Sequence, residues 1–429
     1  YIDYAYNLIS HQTFGLSCGE FDESPLPGNA NAPLYPALLA GAAAFDRDLE
    51  EQYSCVLARH GGRGDCLIGT GQEPDVVSPR AESCPEEDFA GIALVNHVLL
   101  FASLALLFLI GKDFFQSAKL AWLTLFAALL SGIFTEYVGR VLTEILLLPL
   151  FLAMQYCLLR YFRAPRSLAM VAVGVCLGLL SLTRPEYPYL AVAASLLLLG
   201  VSIWRQDKTY LLHGALLLFA FTITLSPWLL RNKQQFDQWA ISAGNYGEIT
   251  LAYRVAYNDM DAKHFATAFT YFLPDFGDNL TKRLFSQDWY WREIDDLPGS
   301  YQDVTNQMLG ATARGELTLP EMLELKVLAD FPKHLMTTVP LSWRGLFIAK
   351  YWGLIAFFVY LVFQVKELRR GRFQLAILAL PCWLLVGLHA GISINIPRYN
   401  LPLLSIYALS LAWLIANISR KRSSAEPKT

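Results

Sequence analysis

Two stretches of this chain join an ionisable residue to a long apolar run. The first is VLTEILLLPLFL, residues 141–152, in which Glu144 stands near the start of the run. The second is LLSLTRPEYPYL, residues 179–190, in which Arg184 follows the run. Charged residues at the ends of membrane spans are costly unless they pair or meet a ligand, so both are candidate functional residues.

Two further stretches place arginines in the same setting. SPWLLRN, residues 226–232, contains Arg231, and INIPRYNLPLL, residues 394–404, contains Arg398 followed by Tyr399. Several arginines on one side of a membrane would suit a phosphate group, because a guanidinium can bind it through two parallel hydrogen bonds. For Arg231 the alternative is an ordinary interfacial arginine, whose stem lies in lipid while its head reaches water.

The composition is typical of a membrane protein. Of the 429 residues, 54% are hydrophobic and 17% are charged, whereas soluble domains carry about 25% charged residues. Nine runs have about the length that crosses a bilayer as a helix: 90–111, 117–134, 138–161, 167–183, 188–203, 210–229, 346–364, 373–393 and 400–417. Backbone groups in lipid must bond within their own segment, so the predicted fold is an all-α polytopic membrane helix bundle.

The lysine and arginine bias predicts the orientation. Basic residues follow alternate spans: Arg160, Arg163, Arg166, Arg205, Lys208, Lys366, Arg369, Arg370, Arg372, Arg420, Lys421 and Arg422. Such loops face the cytoplasm, which leaves 1–89 and 233–345 outside, in a bacterial inner membrane or a plasma membrane. Because the chain starts outside and Tyr1 is not Met, a further span is expected ahead of it.

Four regions follow from this topology: an extracytoplasmic first loop (1–89), six spans (90–232), an extracytoplasmic loop region (233–345), and three spans with a basic cytoplasmic tail (346–429). Residues 1–14 have the spacing of an amphipathic interfacial helix. A short helix is expected near 34–45, and 46–88 is interpreted as an inserted loop. Two late helices, one starting at Pro320 and one capped by Asp330, are expected to rest on the membrane surface.

The cysteines fit the same topology. Four lie in the outer N-terminal region and three lie in spans: Cys18, Cys55, Cys66 and Cys84, then Cys157, Cys176 and Cys382. An oxidising compartment permits two disulfides among the outer four, in three connectivities, with free thiols as the alternative. The span cysteines are interpreted as packing residues.

The candidate residues also have structural interpretations. Glu144 could form a helical ion pair with Arg140, four residues earlier, and Arg184 could pair locally with Glu186. The aromatic run DWYWR, residues 288–292, could bind a sugar ring or anchor the loop in the interface. The sequence has no metal-binding or Gly-rich phosphate motif, which argues against a nucleotide-sugar or ATP site. A net charge of −3 argues against a nucleic-acid partner.

A series of short motifs resembles the GT-C superfamily of membrane glycosyltransferases. The resemblance is to the branch of protein O-mannosyltransferases, lipid A aminoarabinose transferases and bacterial lipopolysaccharide-core sugar transferases. The motifs are, in order, YIDYAYNLISHQTFG, APLYPALLA, VLTEILLLPLF, LLSLTRPEY, SPWLLRN, GNYGEITLAYR, ADFPKHLMTTV and IPRYNLPLL. They cover nearly the whole chain apart from 46–88.

The resemblance implies an enzyme that transfers a sugar from a polyprenyl-phosphate carrier to an extracytoplasmic glycan, lipid or protein, usually with inversion. It could be a hexosyl- or a pentosyltransferase. The implied substrate-binding residues are Tyr1, Glu144, Arg184, Arg231, Arg398 and Tyr399. The three arginines are implied phosphate contacts, and Glu144 is expected to shape the cavity or to hold a cation.

The reaction needs a base and a stabiliser of negative charge. A carboxylate takes the proton of the acceptor hydroxyl. In the family this carboxylate lies two or three residues before the tyrosine that matches Tyr1, so it is expected upstream, and Asp3 is the candidate within this chain. Preorganised arginines or a divalent cation, Mg²⁺ or Mn²⁺, would stabilise the leaving phosphate. No nucleotide is needed, because the carrier brings an activated sugar.

Two alternative functions remain open at this stage. One is a GT-C-like oligosaccharide ligase or polymerase that uses a polyprenyl diphosphate, and the other is a transporter or flippase of lipid-linked sugars. Transporters more often show repeats and helices broken at the midplane. Here the charges lie at outer span ends and the outer loops are large, which favours chemistry at the outer face. The insertion 46–88 is a candidate for selecting the acceptor.

Overall fold

The computed structural model describes residues 1–16, 25–60, 90–242, 246–285 and 299–425. Within these ranges most residues are helical, and the sheet is one antiparallel pair of two-residue strands, β1 (Gly15–Leu16) and β2 (Leu26–Pro27). The predicted all-α fold is confirmed. The chain divides into two compact units, Tyr1–Leu106 with Phe134–Gly244, and Leu107–Ile133 with Asn245–Thr429.

The described ranges contain nineteen α-helices. In chain order they are α1 (Ile2–Ser10), α2 (Leu34–Phe45), α3 (Arg47–His60), α4 (Ala90–Phe115), α5 (Ala118–Leu129), α6 (Ile133–Tyr137), α7 (Thr143–Arg163), α8 (Ser167–Thr183), α9 (Pro188–Arg205), α10 (Lys208–Phe236), α11 (Tyr246–Ala256), α12 (Ala262–Tyr271), α13 (Gly277–Leu284), α14 (Tyr301–Ala313), α15 (Leu319–Met322), α16 (Phe331–Gly345), α17 (Tyr351–Arg369), α18 (Gln374–Ile392) and α19 (Leu404–Ala425). Short 3₁₀ segments occupy Tyr257–Asp259 and Pro397–Leu403, and a π-helical segment occupies Leu323–Leu328.

Seven of the described helices are long and apolar enough to cross a membrane. They are α4, α7, α9, α10, α17, α18 and the segment Pro397–Ser419, which includes most of α19. Two more of the nine predicted spans coincide with shorter apolar helices, α5 with 12 residues and α8 with 17. The chain therefore has the composition and helix lengths of a multi-pass integral membrane protein.

Helix α8 packs closely against α7 and α10 in the first unit. Met170, Val173 and Leu177 are buried on one helical face. Gly174 lets the backbones approach, because a Cβ there would lie 2.3 Å from the backbone oxygen of Leu217 in α10. This packing fixes the end of α8 from which Arg184 extends.

The predicted first two helices are confirmed. Helix α1 buries Tyr4 and Ala5 from the apolar face that the sequence indicated. Helix α2 spans Leu34–Phe45, the range expected from the sequence. Its Tyr35 and Leu39 are fully buried in a shared core with α1 and α3.

The prediction of a loop throughout 46–88 is wrong for its first part, because Arg47–His60 forms helix α3. Leu49, Tyr53 and Leu57 are spaced four residues apart and are buried. Successive turns of α3 therefore each place one apolar side chain in the core. Residues 61–89 of the insertion lie outside the described ranges.

The second unit contains the two late helices that the sequence predicted. Helix α15 begins at Leu319, one residue before Pro320. Helix α16 begins at Phe331, and the Asp330 side chain accepts a hydrogen bond from the backbone N–H of Lys333 at 3.2 Å. Carboxylates at this position satisfy a backbone donor that the helix leaves unpaired. Helix α16 then packs against α18.

The described cysteines differ between the outer region and the spans. Cys55 in α3 is disulfide-bonded, whereas Cys157, Cys176 and Cys382 form no disulfide, as expected for packing residues. Cys18, Cys66 and Cys84 lie outside the described residues, as does the aromatic run 288–292.

Candidate functional site

Arg184 lies at the end of α8, in a turn bounded by prolines. Its backbone N–H donates to the carbonyl of Leu180 at 2.8 Å, and its backbone is extended. Pro185 follows directly, and Pro188 is the first residue of α9. Because proline fixes φ, this turn has little conformational freedom. The turn therefore fixes the backbone from which the side chains of Arg184 and Glu186 extend.

The guanidinium of Arg184 contacts the side chains of Thr143, Glu144 and Glu186. We call these four residues the Arg184 cluster. Nη2 donates to Oε1 of Glu144 at 2.9 Å, and Nε donates to Oγ1 of Thr143 at 3.1 Å. Nη1 lies 3.5 Å from Oε1 of Glu186. The Thr143 hydroxyl donates in turn to Oε2 of Glu144 at 3.2 Å. The local pair of Arg184 with Glu186 is confirmed.

The alternative pairing of Glu144 with Arg140 is wrong. Arg140 pairs with Glu136 at 3.6 Å, and these two side chains are 56% and 50% exposed. Helix α7 begins only at Thr143, so Arg140 is not on the same helix as Glu144 and the expected helical spacing does not apply. Glu144 lies in the first turn of α7, where the helix dipole favours a carboxylate.

The Arg184 cluster is largely shielded from solvent. The side chains of Arg184, Glu144 and Glu186 are 15%, 2% and 14% exposed. Burial on its own would lower the pKa of Arg184, but Glu144 and then Glu186 raise it, and the net shift is upward. Arg184 therefore stays charged, and two carboxylates around one guanidinium give the cluster a net negative charge.

Tyr1 connects α1 to this cluster. Its phenol is hydrogen-bonded to the side chain of Thr143, and its ring meets that of Tyr35 edge-on, with the centroids 5.4 Å apart. Burial raises the pKa of the Tyr1 phenol more than the charge of Arg184 lowers it, so the phenol is protonated at neutral pH. Tyr1, Glu144 and Arg184 are thus three predicted site residues that the first unit brings together.

Asp3, the candidate base within the chain, lies in the first turn of α1. Its Oδ1 accepts a hydrogen bond from Nδ2 of Asn7 at 2.8 Å. The same amide nitrogen donates to the carbonyl of Gly15 in β1 at 3.0 Å. Asp3, two residues after Tyr1, therefore helps to orient the Asn7 side chain, which connects α1 to β1.

Arg231 in α10 binds backbone oxygens. Nη1 donates to the carbonyl of Gly28 at 2.8 Å, and Nη2 donates to that of Phe14 at 2.9 Å. The guanidinium also lies 4.6 Å from the ring centroid of Trp228. Through these contacts Arg231 connects α10 to the backbone of the segment after α1. Its contact with a phosphate stays a prediction.

In the second unit, Arg398 and Tyr399 lie on the 3₁₀ segment before α19. Arg398 is exposed, and its guanidinium carbon lies 5.6 Å from the ring centroid of Tyr399. A buried network supports this segment: Nδ1 of His389 bonds Oδ1 of Asn400 at 3.2 Å, and Nδ2 of Asn400 donates to Oδ1 of Asn395 at 2.6 Å. Buried hydrogen bonds therefore hold the segment that carries Arg398 and Tyr399.

The sequence did not single out Arg254, a buried arginine in α11 that is 0% exposed. Nε donates to the carbonyl of Ala390 at 2.6 Å, and Nη2 donates to the carbonyl of His334 and to Oγ1 of Thr338, each at 2.8 Å. Nη1 donates to Oδ1 of Asn258 at 2.9 Å. Burial lowers the pKa of Arg254 to about 10, so it is charged at neutral pH, and its described partners are neutral.

His334 in α16 predicts a pH dependence of stability. Burial, followed by the charge of Arg254, lowers the pKa of His334 to about 4, against about 6.5 in an unfolded chain. Protons then bind the unfolded state more tightly, so stability is complete above about pH 6.5 and falls as pH drops towards 4, by up to about 1.4 kcal/mol per unit. Unfolding at pH 7 and pH 5 should show a smaller loss in His334→Gln, and an equal loss would contradict this assignment.

A divalent cation at Glu144 stays a prediction. In the described ranges no three His, Cys, Asp or Glu side chains come together as a metal site. Glu144, the expected cation ligand, instead binds Arg184 at 2.9 Å.

A cavity of about 280 Å³ lies between α1 and α3. It is lined by Tyr6, Arg47, Glu50, Glu51 and Ser54. These side chains offer an aromatic ring together with donors and acceptors for hydroxyl groups. The part of the insertion that forms α3 therefore contributes a polar recess next to the helix that carries Tyr1.

Comparison with known proteins gives one family match and one structural similarity. Residues 86–229 match the family model described as dolichyl-phosphate-mannose-protein mannosyltransferase, and this range contains Glu144 and Arg184. The fold is similar to the crystal structure of ArnT from Cupriavidus metallidurans bound to undecaprenyl phosphate, with 14% identity and a TM-score of 0.36, over 100% of this chain and 76% of that chain. No curated protein matches the chain.

Proposed function

We propose that this chain is a membrane glycosyltransferase of the GT-C superfamily, a proposal that the family match over residues 86–229 supports. It transfers one sugar from a polyprenyl-phosphate carrier to an acceptor on the extracytoplasmic side, with inversion at the anomeric carbon. The transferred unit is a hexose or a pentose, and the acceptor is a glycan, lipid or protein. The lysine and arginine bias supports this orientation, in a bacterial inner membrane or a plasma membrane.

The observation that carries the proposal is the guanidinium held at the end of α8. Arg184 is fixed by Glu144 and Thr143 at 2.9 and 3.1 Å, and it is 15% exposed at the end of an apolar helix. A preorganised cation in such a shielded position stabilises a negative charge that develops on a ligand. The matched family is named for a dolichyl-phosphate-linked mannose, which supports a lipid phosphate as that ligand.

The reaction needs a base at the acceptor hydroxyl and a positive charge at the leaving phosphate. The acceptor hydroxyl attacks the anomeric carbon, and a carboxylate takes its proton. The bond to the phosphate oxygen breaks, and the lipid phosphate leaves with the bonding electrons. Asp3 is the proposed base within the chain, because α1 also carries Tyr1 to the Arg184 cluster. Arg184 stabilises the leaving phosphate.

The other predicted site residues keep their roles as proposals. Arg231, Arg398 and Tyr399 are further contacts to the donor, and Tyr1 is a contact on the side of α1. A divalent cation, Mg²⁺ or Mn²⁺, is the proposed alternative to an additional arginine at the phosphate. The described residues around Glu144 give no support to a cation at that position.

The test is turnover of a polyprenyl-phosphate-linked sugar by purified protein in detergent, with a panel of acceptors. Arg398→Ala is expected to lower donor consumption by about 100-fold, the effect of removing one donor to a developing charge. Arg314→Ala is the matched control, because Arg314 is a 62% exposed arginine of the same unit that pairs with Glu316. It should keep full activity.

The same assay separates the alternatives. Donor binding without turnover for any acceptor would favour a carrier or flippase. Transfer only from a polyprenyl diphosphate would favour a ligase or polymerase. If the protein binds neither lipid, the proposal of a lipid-phosphate donor is wrong.

A further inference from the structure

Arg184 has two carboxylate partners, Glu144 and Glu186, which differ in exposure and in their distance from the guanidinium. Glu144 lies on α7, is 2% exposed and binds Arg184 at 2.9 Å, with a second hydrogen bond from Thr143. Glu186 lies in the turn between α8 and α9, is 14% exposed and approaches Arg184 at 3.5 Å. Glu144 is therefore an internal anchor, whereas Glu186 is a weaker partner on the more accessible side.

The charge of the cluster makes these two partners incompatible with a bound phosphate. Two carboxylates already exceed the charge of one guanidinium. A phosphate placed on Arg184 would add further negative charge within a few ångströms of both carboxylates, and like charges at that distance in a shielded site oppose binding. One carboxylate must therefore leave Arg184 when an anion binds there.

Glu186 is the carboxylate that costs less to displace from Arg184. Moving Glu144 would uncouple a charge that is almost completely buried, which is strongly destabilising. The contact of Glu186 with Arg184 is longer, at 3.5 Å, and its side chain is more exposed than that of Glu144, 14% against 2%. Carboxylate and phosphate oxygens are both acceptors for the planar guanidinium, so one can replace the other on the same N–H groups.

We propose that Glu186 occupies the phosphate position of Arg184 in the ligand-free protein and is displaced when a phosphate group binds. This inference rests on the proposed function and adds a competing internal group to it. Glu186 keeps the arginine neutralised while the donor is absent, and it lowers the affinity for phosphate. It also favours release of the lipid phosphate after transfer, because the carboxylate returns to Arg184.

The proposal predicts that Glu186→Gln binds phosphate more tightly than wild type. Removing the competing charge should lower the Kd for undecaprenyl phosphate by about three- to fivefold, the scale of a partly exposed ion pair. Inorganic phosphate should compete, with the same shift in its own Kd, and should bind more weakly than the lipid because it has no isoprenoid chain. Undecaprenol, which has no phosphate, should bind wild type and variant equally.

Glu136→Gln is the matched control. It removes one carboxylate from the same unit, but Glu136 pairs with Arg140 and not with Arg184, so its Kd should equal that of wild type. Arg184→Gln should lose binding of both phosphates. In steady-state transfer, Glu186→Gln should lower KM without raising kcat, whereas a purely structural Glu186 predicts a higher KM together with a lower melting temperature.

The outcomes separate this inference from the proposed function. If wild type binds undecaprenyl phosphate and Arg184→Gln does not, but Glu186→Gln shows an unchanged or higher Kd, Glu186 is not a competitor and the inference is overturned alone. An equal shift with undecaprenol or with Glu136→Gln would also overturn it. If neither wild type nor Glu186→Gln binds either phosphate, the proposed function fails and the inference fails with it.

Discussion

Glu144→Gln is expected to reduce sugar transfer by about 100-fold, the cost of misplacing a catalytic group by about 1 Å. Glutamine has nearly the same shape and can still accept one hydrogen bond from Arg184, but it cannot hold the guanidinium by charge. Arg184 would then turn towards Glu186, its remaining carboxylate at 3.5 Å. The measurement is kcat/KM for transfer from a polyprenyl-phosphate-linked sugar, and a value within threefold of wild type would contradict the assigned role.

A loss of stability must be separated from this loss of activity. Removing one partner of a buried ion pair typically costs about 3–5 kcal/mol, whereas replacing both partners by apolar residues is often close to neutral. The triple variant Glu144→Leu, Arg184→Met and Glu186→Gln removes all three charges, so it should melt near wild type and still transfer no sugar. An active triple variant would show that the charged cluster serves only the fold.

The matched control for Glu144 is the exposed pair of Glu136 and Arg140. It has the same residue types, lies at the same end of α7 and has a longer contact of 3.6 Å, but its side chains are about half exposed. Exposed ion pairs contribute at most about 1 kcal/mol. Glu136→Gln should therefore keep both full activity and the wild-type melting temperature.

Most of the fold could be predicted because long apolar runs leave few choices in a membrane. Backbone groups in lipid must bond within a helix, so composition predicts the spans without any knowledge of packing. The error at α3 has a physical reason as well. Residues 47–60 are largely polar, and their buried stripe of Leu49, Tyr53 and Leu57 is visible only as a four-residue spacing that nearby Gly, Pro and charged residues obscure.

The candidate site was only partly predictable, because sequence shows which groups are charged but not which of them meet. Glu144 and Arg184 were both singled out, yet the sequence offered the partners Arg140 and Glu186 by proximity and not the long-range pair between α7 and α8. Such a pair depends on how the two helices pack. The contact of Thr143 with Arg184 was not predicted, although Thr143 directly precedes Glu144 in the Thr-Glu motif.

Arg254→Met is expected to lower the free energy of unfolding by about 3 kcal/mol or more, because it removes five hydrogen bonds donated by a buried charged group. Arg254 satisfies the carbonyl of Ala390 near the end of α18 and that of His334 in the first part of α16. Carbonyls in the last turn of a helix have no partner within the helix, and a cation there is also favoured by the helix dipole. Methionine fills similar space but donates no hydrogen bond.

The control is Arg314→Met, which removes an arginine from the same unit. Arg314 makes two short contacts with Glu316, at 2.9 and 2.8 Å, but it is 62% exposed. Its loss should cost less than about 1 kcal/mol. Unfolding of both variants in mixed micelles would compare them directly, and equal losses would mean that the bonds of Arg254 do not stabilise the protein.

Arg254→Lys distinguishes the geometry of the guanidinium from its charge. Lysine keeps the charge, but one ammonium cannot reach acceptors that lie on three sides of a planar fork. If the bonds to Ala390, Asn258 and Thr338 matter, this variant should unfold nearly as readily as Arg254→Met. A stability close to wild type would instead mean that the positive charge alone holds α11 against α16 and α18.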